Sequence, residues 1–239
     1  MPTYTTRLCS RERKPGDLIL VQFEKPPGLQ FRAGQFAELG LIESPILNLE
    51  ETFRTFSFVS APSDPSLEFT MRLSSSAFKT TLSTMSLGTK VLLKGPAGTL
   101  RLHSDENRPA MFLAGGVGIA PFVSILRQAA HDHLEHSLFM FYSTHSRSEM
   151  LYMEELSALA ASKMVNLHLI PTLTGTAEPG WVGEKGRITA SMIRQHTSSP
   201  VKPMYYIAGP SRFVSGMISA ATALDASEAD IRIEDFGDL

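Results

Sequence analysis

Phe112-Leu113-Ala114-Gly115-Gly116-Val117-Gly118-Ile119-Ala120-Pro121 is the run whose reading decides the fold. Met111 to Ala114 suits a strand buried on both faces. Gly115, Gly116 and Gly118 then permit positive φ or close backbone approach, and Pro121 has the φ wanted at a helix start. The run reads as strand, turn, helix. Such a junction aims unpaired amides and a helix dipole at whatever lies above it, which suits a pyrophosphate. The same glycines would serve if strand and helix only had to pack closely, so the rest of the chain has to decide.

Downstream, strands alternate with helices. Apolar segments at Ala110–Ala114, Leu138–Tyr142, Val165–Pro171, Met204–Ala208 and Ile231–Ile233 are separated by helical patterns starting at Pro121, Ser148, Thr189 and Ser211. This predicts an α/β doubly wound parallel five-stranded sheet, whose ligands bind off the carboxyl ends of the strands. The tip after the second strand, Ser143-Thr144-His145-Ser146-Arg147, is basic and rich in hydroxyls. In a dinucleotide fold that tip meets the adenosine ribose, where basic groups favour a 2′-phosphate and acids favour the free hydroxyl. A solvated loop would carry the same residues, and Glu149 nearby leaves NADH and NADPH both open.

Upstream, between Thr3 and Leu102, short alternating runs such as Asp17–Phe23 and Leu67–Leu73 are broken by Lys25-Pro26-Pro27-Gly28 and Ala61-Pro62-Ser63-Asp64-Pro65. Many short strands at this spacing predict a small antiparallel barrel or sandwich. Only Ala77–Met85 looks helical there, with Ser76 as its N-cap and Lys79 in its first turn. A cation at that end of a helix is unfavourable unless something negative binds nearby. Alternation through Phe53–Phe58 puts Arg54, Phe56 and Phe58 on one face and Thr55 and Ser57 on the other; Arg54 offers a donor fork for phosphate beside an aromatic surface. The polar stretch Leu102–Pro109 separates the two regimes, giving domains at 1–104 and 105–239.

The composition narrows the classes of function. In 239 residues with a net charge of -2 there is no electrostatic reason to expect nucleic acid or anionic lipid. Cys9 is the single cysteine, so no intrachain disulfide, four-cysteine iron-sulfur cluster or multi-thiolate zinc site can form, and no metal is expected. An iron-sulfur partner would be a separate protein. No window approaches the roughly 20 apolar residues of a membrane span, and a reducing cytoplasm is the expected compartment.

Taken in order, the motifs resemble the ferredoxin-NADP(+) reductase superfamily over essentially the whole chain. They are Gly34-Gln35-Phe36, the Arg-x-Phe-Ser signature at Arg54–Ser57, Gly95-Pro96-Ala97-Gly98, the glycine run, Gly209-Pro210 and Glu234-Asp235-Phe236. The resemblance implies a Greek-key, antiparallel flavin-binding β-barrel followed by an NAD(P)-binding α/β domain. It implies that Arg54 holds the flavin pyrophosphate, that Phe56 packs on the flavin where relatives usually have tyrosine, and that Ser57 hydrogen-bonds near flavin N5. Thr55, Met71, Arg72 and Leu73 would complete that wall. Ser76, Ala77 and Phe78 fall at the second phosphate-contacting turn, although this chain matches that motif poorly.

In the second domain the resemblance places Gly115, Gly116, Gly118 and Pro121 at the nucleotide pyrophosphate, Thr172, Gly209 and Pro210 toward the nicotinamide, and His145 and Arg147 at the ribose. Glu234 would lie near flavin and nicotinamide, and with Ser57 is assigned to catalysis. Two departures stand out. Ala208 replaces a cysteine common before Gly-Pro, and the tail reads Phe236-Gly237-Asp238-Leu239 where plant-type members end on a tyrosine stacked over the flavin.

The implied activity is a monomeric flavin-dependent NAD(P)H oxidoreductase, with FAD rather than FMN, serving a separate acceptor. That acceptor would be a ferredoxin, a flavodoxin, an oxygenase component or a ferric chelate. The alternative is a flavin-binding regulatory or partner subunit of the same fold with little turnover, for which Ala208 is the one favouring feature.

Overall fold

The computed structural model describes residues 1–42, 53–176, 178–197 and 201–237. Strands β1 (Thr3–Lys14), β2 (Leu18–Glu24), β3 (Phe36–Leu41), β4 (Phe53–Ser57), β5 (Ser66–Arg72) and β6 (Lys90–Ala97) form an antiparallel sheet in the order β4-β3-β6-β1-β2-β5. Its end strands β4 and β5 come up against each other, which curls the sheet into a barrel. Alternation does the rest: Ile19, Val21 and Phe23 of β2 and Leu67, Phe69 and Met71 of β5 meet inside with Phe56 and Phe58. Helix α1 (Ala77–Thr84) adds Phe78 and Leu82 to the same core.

The second sheet is parallel. The five expected strands are present as β7 (Ala110–Gly115), β8 (Ser137–Thr144), β9 (Asn166–Leu173), β11 (Met204–Gly209) and β12 (Ile231–Asp235). A sixth, the edge strand β10 (Glu184–Lys185), pairs with Thr172 and Leu173; two residues are too short to leave a periodicity in the sequence. The order β10-β9-β8-β7-β11-β12 puts the reversal of strand order between β7 and β11, where the glycine turn and Gly209-Pro210 emerge together. Helices α2 (Ala120–His131) and α3 (Met153–Ser162) cover one face through Phe112 and Ala114. Helices α4 (Ala190–His196) and α5 (Ser211–Thr222) cover the other through Met111 and Leu113. No helix among the described residues is long and apolar enough to cross a membrane.

Helix α3 starts later than expected from Ser148. Arg147–Glu149 form a single tight turn, Tyr152 takes a left-handed φ of 62°, and the α-helix begins at Met153. Tertiary contacts account for the delay: the Glu149 carboxylate is drawn to Arg72, and the Leu151 amide donates to the Tyr142 hydroxyl.

Residues 98–109 link β6 to β7 without helix or strand, yet they are pinned. Inside the second domain the Tyr206 hydroxyl receives the His103 amide at 2.9 Å and donates to His103 Nδ1 at 2.8 Å, while His103 Nε2–H donates to the Arg108 carbonyl. Desolvation lowers the His103 pKa, which keeps that neutral tautomer. Tyr206→Phe should therefore cost about 1–2 kcal/mol in urea unfolding, because it takes the partner from a part-buried amide and a ring nitrogen together; an unchanged midpoint would show the linker is held elsewhere.

Candidate functional site

A cleft of about 620 Å3 opens where β4 meets β5 and the glycine turn of the second domain faces them. Arg54, Thr55, Phe56 and Ser57 of β4 line it together, so both faces of that strand contribute; this happens because β4 is an end strand with no ladder to β5. From β5 come Thr70, Met71 and Arg72, and from the segment into α1 come Ser74, Ser76 and Lys79. The opposite domain supplies Val117 and Ala120 from the glycine turn and Glu234, Asp235 and Phe236 from the end of β12.

The two walls differ in charge. The barrel side carries Arg54, Arg72 and Lys79, and the side from β12 carries Glu234 and Asp235. They are joined at one point, where the Ser57 hydroxyl donates to Glu234 Oε1 across the domain boundary. Burial pushes the Glu234 carboxyl up to about 7, against the opposing pull of the Ser57 hydrogen bond. A carboxyl so placed changes charge near neutral pH, so it can hold or release a proton at the meeting of the two walls.

Around this centre the partners are fixed. Arg72 donates to Glu149 Oε2 at 2.6 Å and to the Gly16 carbonyl at 2.6 Å. Arg54 Nη1 donates to the Phe53 carbonyl at 2.7 Å. Phe56 is largely enclosed, leaning on Phe78 and Phe69 with one edge to the cleft. Asp235 Oδ1 accepts from the Ser211 hydroxyl and the Gly237 amide, tying β12 to the start of α5.

The glycine turn shows two uses of the same residue. At Gly118 a Cβ would stand 2.1 Å from the Ala208 carbonyl, so absence of a side chain lets α2 approach β11. At Gly116, φ is +55° and no atom lies within 4 Å of where a Cβ would be, so the backbone conformation is what needs glycine and the space above is open. Gly115 packs on Phe213, and Pro121 is buried in the first turn of α2.

Other expected residues sit away from the cleft. Leu73 and Phe78 pack in or against the barrel core, and Ala77 is exposed on α1. Thr172 is fully enclosed, its hydroxyl donating to the Gly186 carbonyl. Gly209 packs on Gly115, Pro210 caps α5, and Ala208 is enclosed in the sheet. His145 is exposed beside Gly175, while Arg147 borders a separate hollow of about 850 Å3 with Tyr152 and Trp181. Asp238 and Leu239 of the tail lie outside the described residues. No group of three or more His, Cys, Asp or Glu placed to hold a metal ion occurs among the described residues.

Sequence reasoning did not assign Phe36, Thr70, Ser74, Val117, Ala120 or Asp235 to the site. Phe36 had a signal: it stands in Gly34-Gln35-Phe36 and pairs in register with Ser57.

Residues 112–218 match the oxidoreductase NAD-binding domain family. Over 160 residues the chain is 36% identical to methane monooxygenase component C of Methylosinus trichosporium, covering 64% of this chain and 45% of that protein. It is 29% identical over 165 residues to the ferredoxin–NAD(P)(+) reductase component of the naphthalene 1,2-dioxygenase/salicylate 5-hydroxylase systems of a Ralstonia species, covering 68% of this chain and 47% of that one. The chain thus spans about half the length of these curated relatives. Among solved structures, a ferredoxin NADP+ reductase from Neisseria gonorrhoeae with bound FAD and NADP superposes with a TM-score of 0.81 at 23% identity, covering 99% of both chains.

Proposed function

From a chain that has the ferredoxin-NADP(+) reductase fold and carries an oxidoreductase NAD-binding domain, we propose a flavin-dependent NAD(P)H oxidoreductase. It uses FAD as cofactor and passes reducing equivalents to a separate acceptor, an oxygenase component or a ferredoxin-type carrier. We assign it to the cytoplasm as a monomer. The observation that carries this reading is the cleft between the domains, with cationic and hydroxyl groups on the barrel wall and the Ser57–Glu234 pair joining the walls.

The residues present fit a flavin dinucleotide. Among the described residues the Oγ of Ser76, buried in the cleft wall, has no hydrogen-bond partner and is a donor waiting for an acceptor, and Arg54 brings the planar fork that suits a phosphate. Bound flavin supplies the redox chemistry, taking a hydride and releasing electrons singly. The protein positions and tunes. Arg54 and Ser76 hold phosphate, Phe56 and Phe36 offer apolar surface to a ring, and the glycine turn with its open space at Gly116 receives the nucleotide from the other domain. Ser57 and Glu234 hold a proton between them at the meeting of the two walls.

At the second strand's tip, Arg147 and His145 favour a 2′-phosphate. Glu149, the acid that would oppose it, is bound by Arg72 and by the Ser146 hydroxyl. Anaerobic titration of the purified protein should therefore bleach a flavin absorbance spectrum, with a lower KM for NADPH than for NADH in steady state. A flavin spectrum that neither nucleotide changes would favour the regulatory-subunit reading. Failure to take up FAD at all would overturn the assignment of the barrel, and a preference for NADH would retire the roles given to His145 and Arg147.

A further inference from the structure

Gly115 has a backbone that does not call for glycine. Its φ of -112° and ψ of 114° are extended values open to any residue, unlike those of Gly116 beside it. What excludes a side chain is a neighbour: a Cβ on Gly115 would stand 2.7 Å from Cγ of Phe213 and 2.9 and 3.0 Å from its two Cδ atoms. The same ring meets the second turn, because a Cβ on Gly209 would lie 3.0 Å from Phe213 Cδ1. One aromatic plate therefore rests against both turns at the reversal of strand order, Gly115-Gly116 after β7 and Gly209-Pro210 after β11.

The plate is held in place. Phe213 stands in the first turn of α5, whose start is tied by three hydrogen bonds: the Ser211 hydroxyl donates to Asp235, the Ser211 amide to the Gly237 carbonyl and the Val214 amide to the Pro210 carbonyl. Val214 and Met217 anchor the helix in the core beneath, and Phe213 packs on that core. A ring wedged against two backbones that carry no side chains leaves no flexible group between them to absorb a change in its size.

We propose that Phe213 is a positioning residue for the pyridine nucleotide: its ring sets the placement of the two turns that hold the nucleotide, and Gly115 is glycine in order to admit the ring. The role rests on the reading of the glycine turn as the nucleotide's seat. Phe213 acts through the backbone of the second domain, so its influence falls on nucleotide affinity and not on the barrel wall that faces it across the cleft.

The test is calorimetric titration of the full chain with NADP+ and NAD+, and separately with FAD, for the wild type, Gly115→Ala, Phe213→Leu and the double variant. Gly115→Ala drives a methyl group into the ring and should weaken nucleotide binding by roughly 10-fold or more, because small displacements of positioning groups are costly. FAD affinity should stay within about twofold, since sites without shared partners respond independently. Phe213→Leu should weaken the nucleotide by roughly 3- to 10-fold, and in the double variant the shorter side chain makes room for the methyl, so affinity should recover to within about threefold of wild type. Unchanged nucleotide affinity in Gly115→Ala overturns the proposal. So does a loss that Phe213→Leu does not relieve, which would mean that the methyl meets the nucleotide itself, and so does an equal loss for FAD. If Gly115→Ala does not fold, Phe213→Leu decides alone, and wild-type nucleotide affinity in it overturns the proposal. A wild-type chain that binds FAD but neither NADP+ nor NAD+ removes the reading of the nucleotide seat, and the proposal with it.

Discussion

Ser57→Ala should slow the bleaching of bound flavin by NAD(P)H by roughly 10- to 100-fold at pH 6, within the range that a positioned proton donor contributes, and by progressively less as pH rises above 7. The reasoning starts from one hydrogen bond. With Glu234 ionised, the Ser57 hydroxyl donates to it, and its hydrogen is turned away from the cleft. With Glu234 protonated, the carboxyl can donate to Ser57 Oγ, and the serine hydrogen is free to point at a ligand. Because burial lifts the Glu234 carboxyl to about 7, the switch between these arrangements falls in the neutral range. The wild-type rate should therefore fall as pH rises through 7. Glu234→Gln presents a permanent donor to Ser57, so its profile should be flat and lie near the acid limb of the wild type. Rapid mixing under nitrogen reads all three profiles; a wild-type rate in Ser57→Ala, or a bend near 7 that survives in Glu234→Gln, would remove these residues from the mechanism.

The same carboxyl makes a stability statement. Its value in the folded chain is raised from the ordinary 4.5 to about 7, so the folded state holds the proton more tightly than the unfolded state between those limits. The stability it supports is complete below about 4.5 and is lost as pH rises through 7, an amount of roughly 2–3 kcal/mol for a half-buried group. Glu234→Gln has no such loss. Its thermal midpoint should draw ahead of the wild type as pH rises from about 5 to 7 and keep that lead above 7.

Much of this arrangement could be read from the chain because it is encoded locally. The glycine run marks itself by composition, the strands by alternation or by apolar runs, and Thr189 by its place before α4, where its hydroxyl does accept the Met192 amide. Arg54, Phe56 and Ser57 fall within four residues of one strand and reach the same cleft. What stayed hidden depends on groups far apart in sequence. Nothing near Ser148 says that Glu149 will be pulled to Arg72, 77 residues earlier, and so delay α3. Nothing near Thr172 says that its hydroxyl will be closed off by the Gly186 carbonyl, because β10 is too short to announce itself. Ser76 was legible as an N-cap by position, but whether its hydroxyl serves the helix or the cleft depends on what faces it.

The domain boundary illustrates the same limit from the energetic side. Leu18, Val59 and Leu100 belong by sequence to the barrel half, yet they are buried in the core of the second domain with Phe122 and Ile125. The Ser124 hydroxyl donates to the Ser60 carbonyl at 2.7 Å in the same seam. A cleft made from both domains keeps its shape only if this seam is rigid, so residues remote from the cleft have to fix the distance between Ser57 and Glu234.

Arg127→Met should be the most destabilising single change in that seam, at about 3–5 kcal/mol, the cost of leaving a buried charge without its partner. From α2, Arg127 donates to Glu68 Oε2 at 3.0 Å and to the Val59 carbonyl on the barrel side, and to both oxygens of Glu155 on its own side. Glu68 lies on β5, is 8% exposed, and has as its remaining side-chain partner the Tyr152 hydroxyl at 2.9 Å. Burial opposes the charge on Arg127, but hydrogen bonds and attraction from Glu155 and Glu68 outweigh it and hold its pKa above the ordinary arginine value. Removing the guanidinium therefore strands the Glu68 carboxylate in the seam. For a chain of this length the loss should appear as a thermal midpoint lower by roughly 10 °C. Adding Glu68→Gln should recover more than half of it, because the carboxylates that then lack Arg127, Glu155 and Asp64, are the more exposed ones and glutamine still accepts from Tyr152. If Arg127→Met lies within about 1 kcal/mol of wild type, or if Glu68→Gln makes it worse, the seam is held by its apolar contacts alone and the network on Arg127 is incidental.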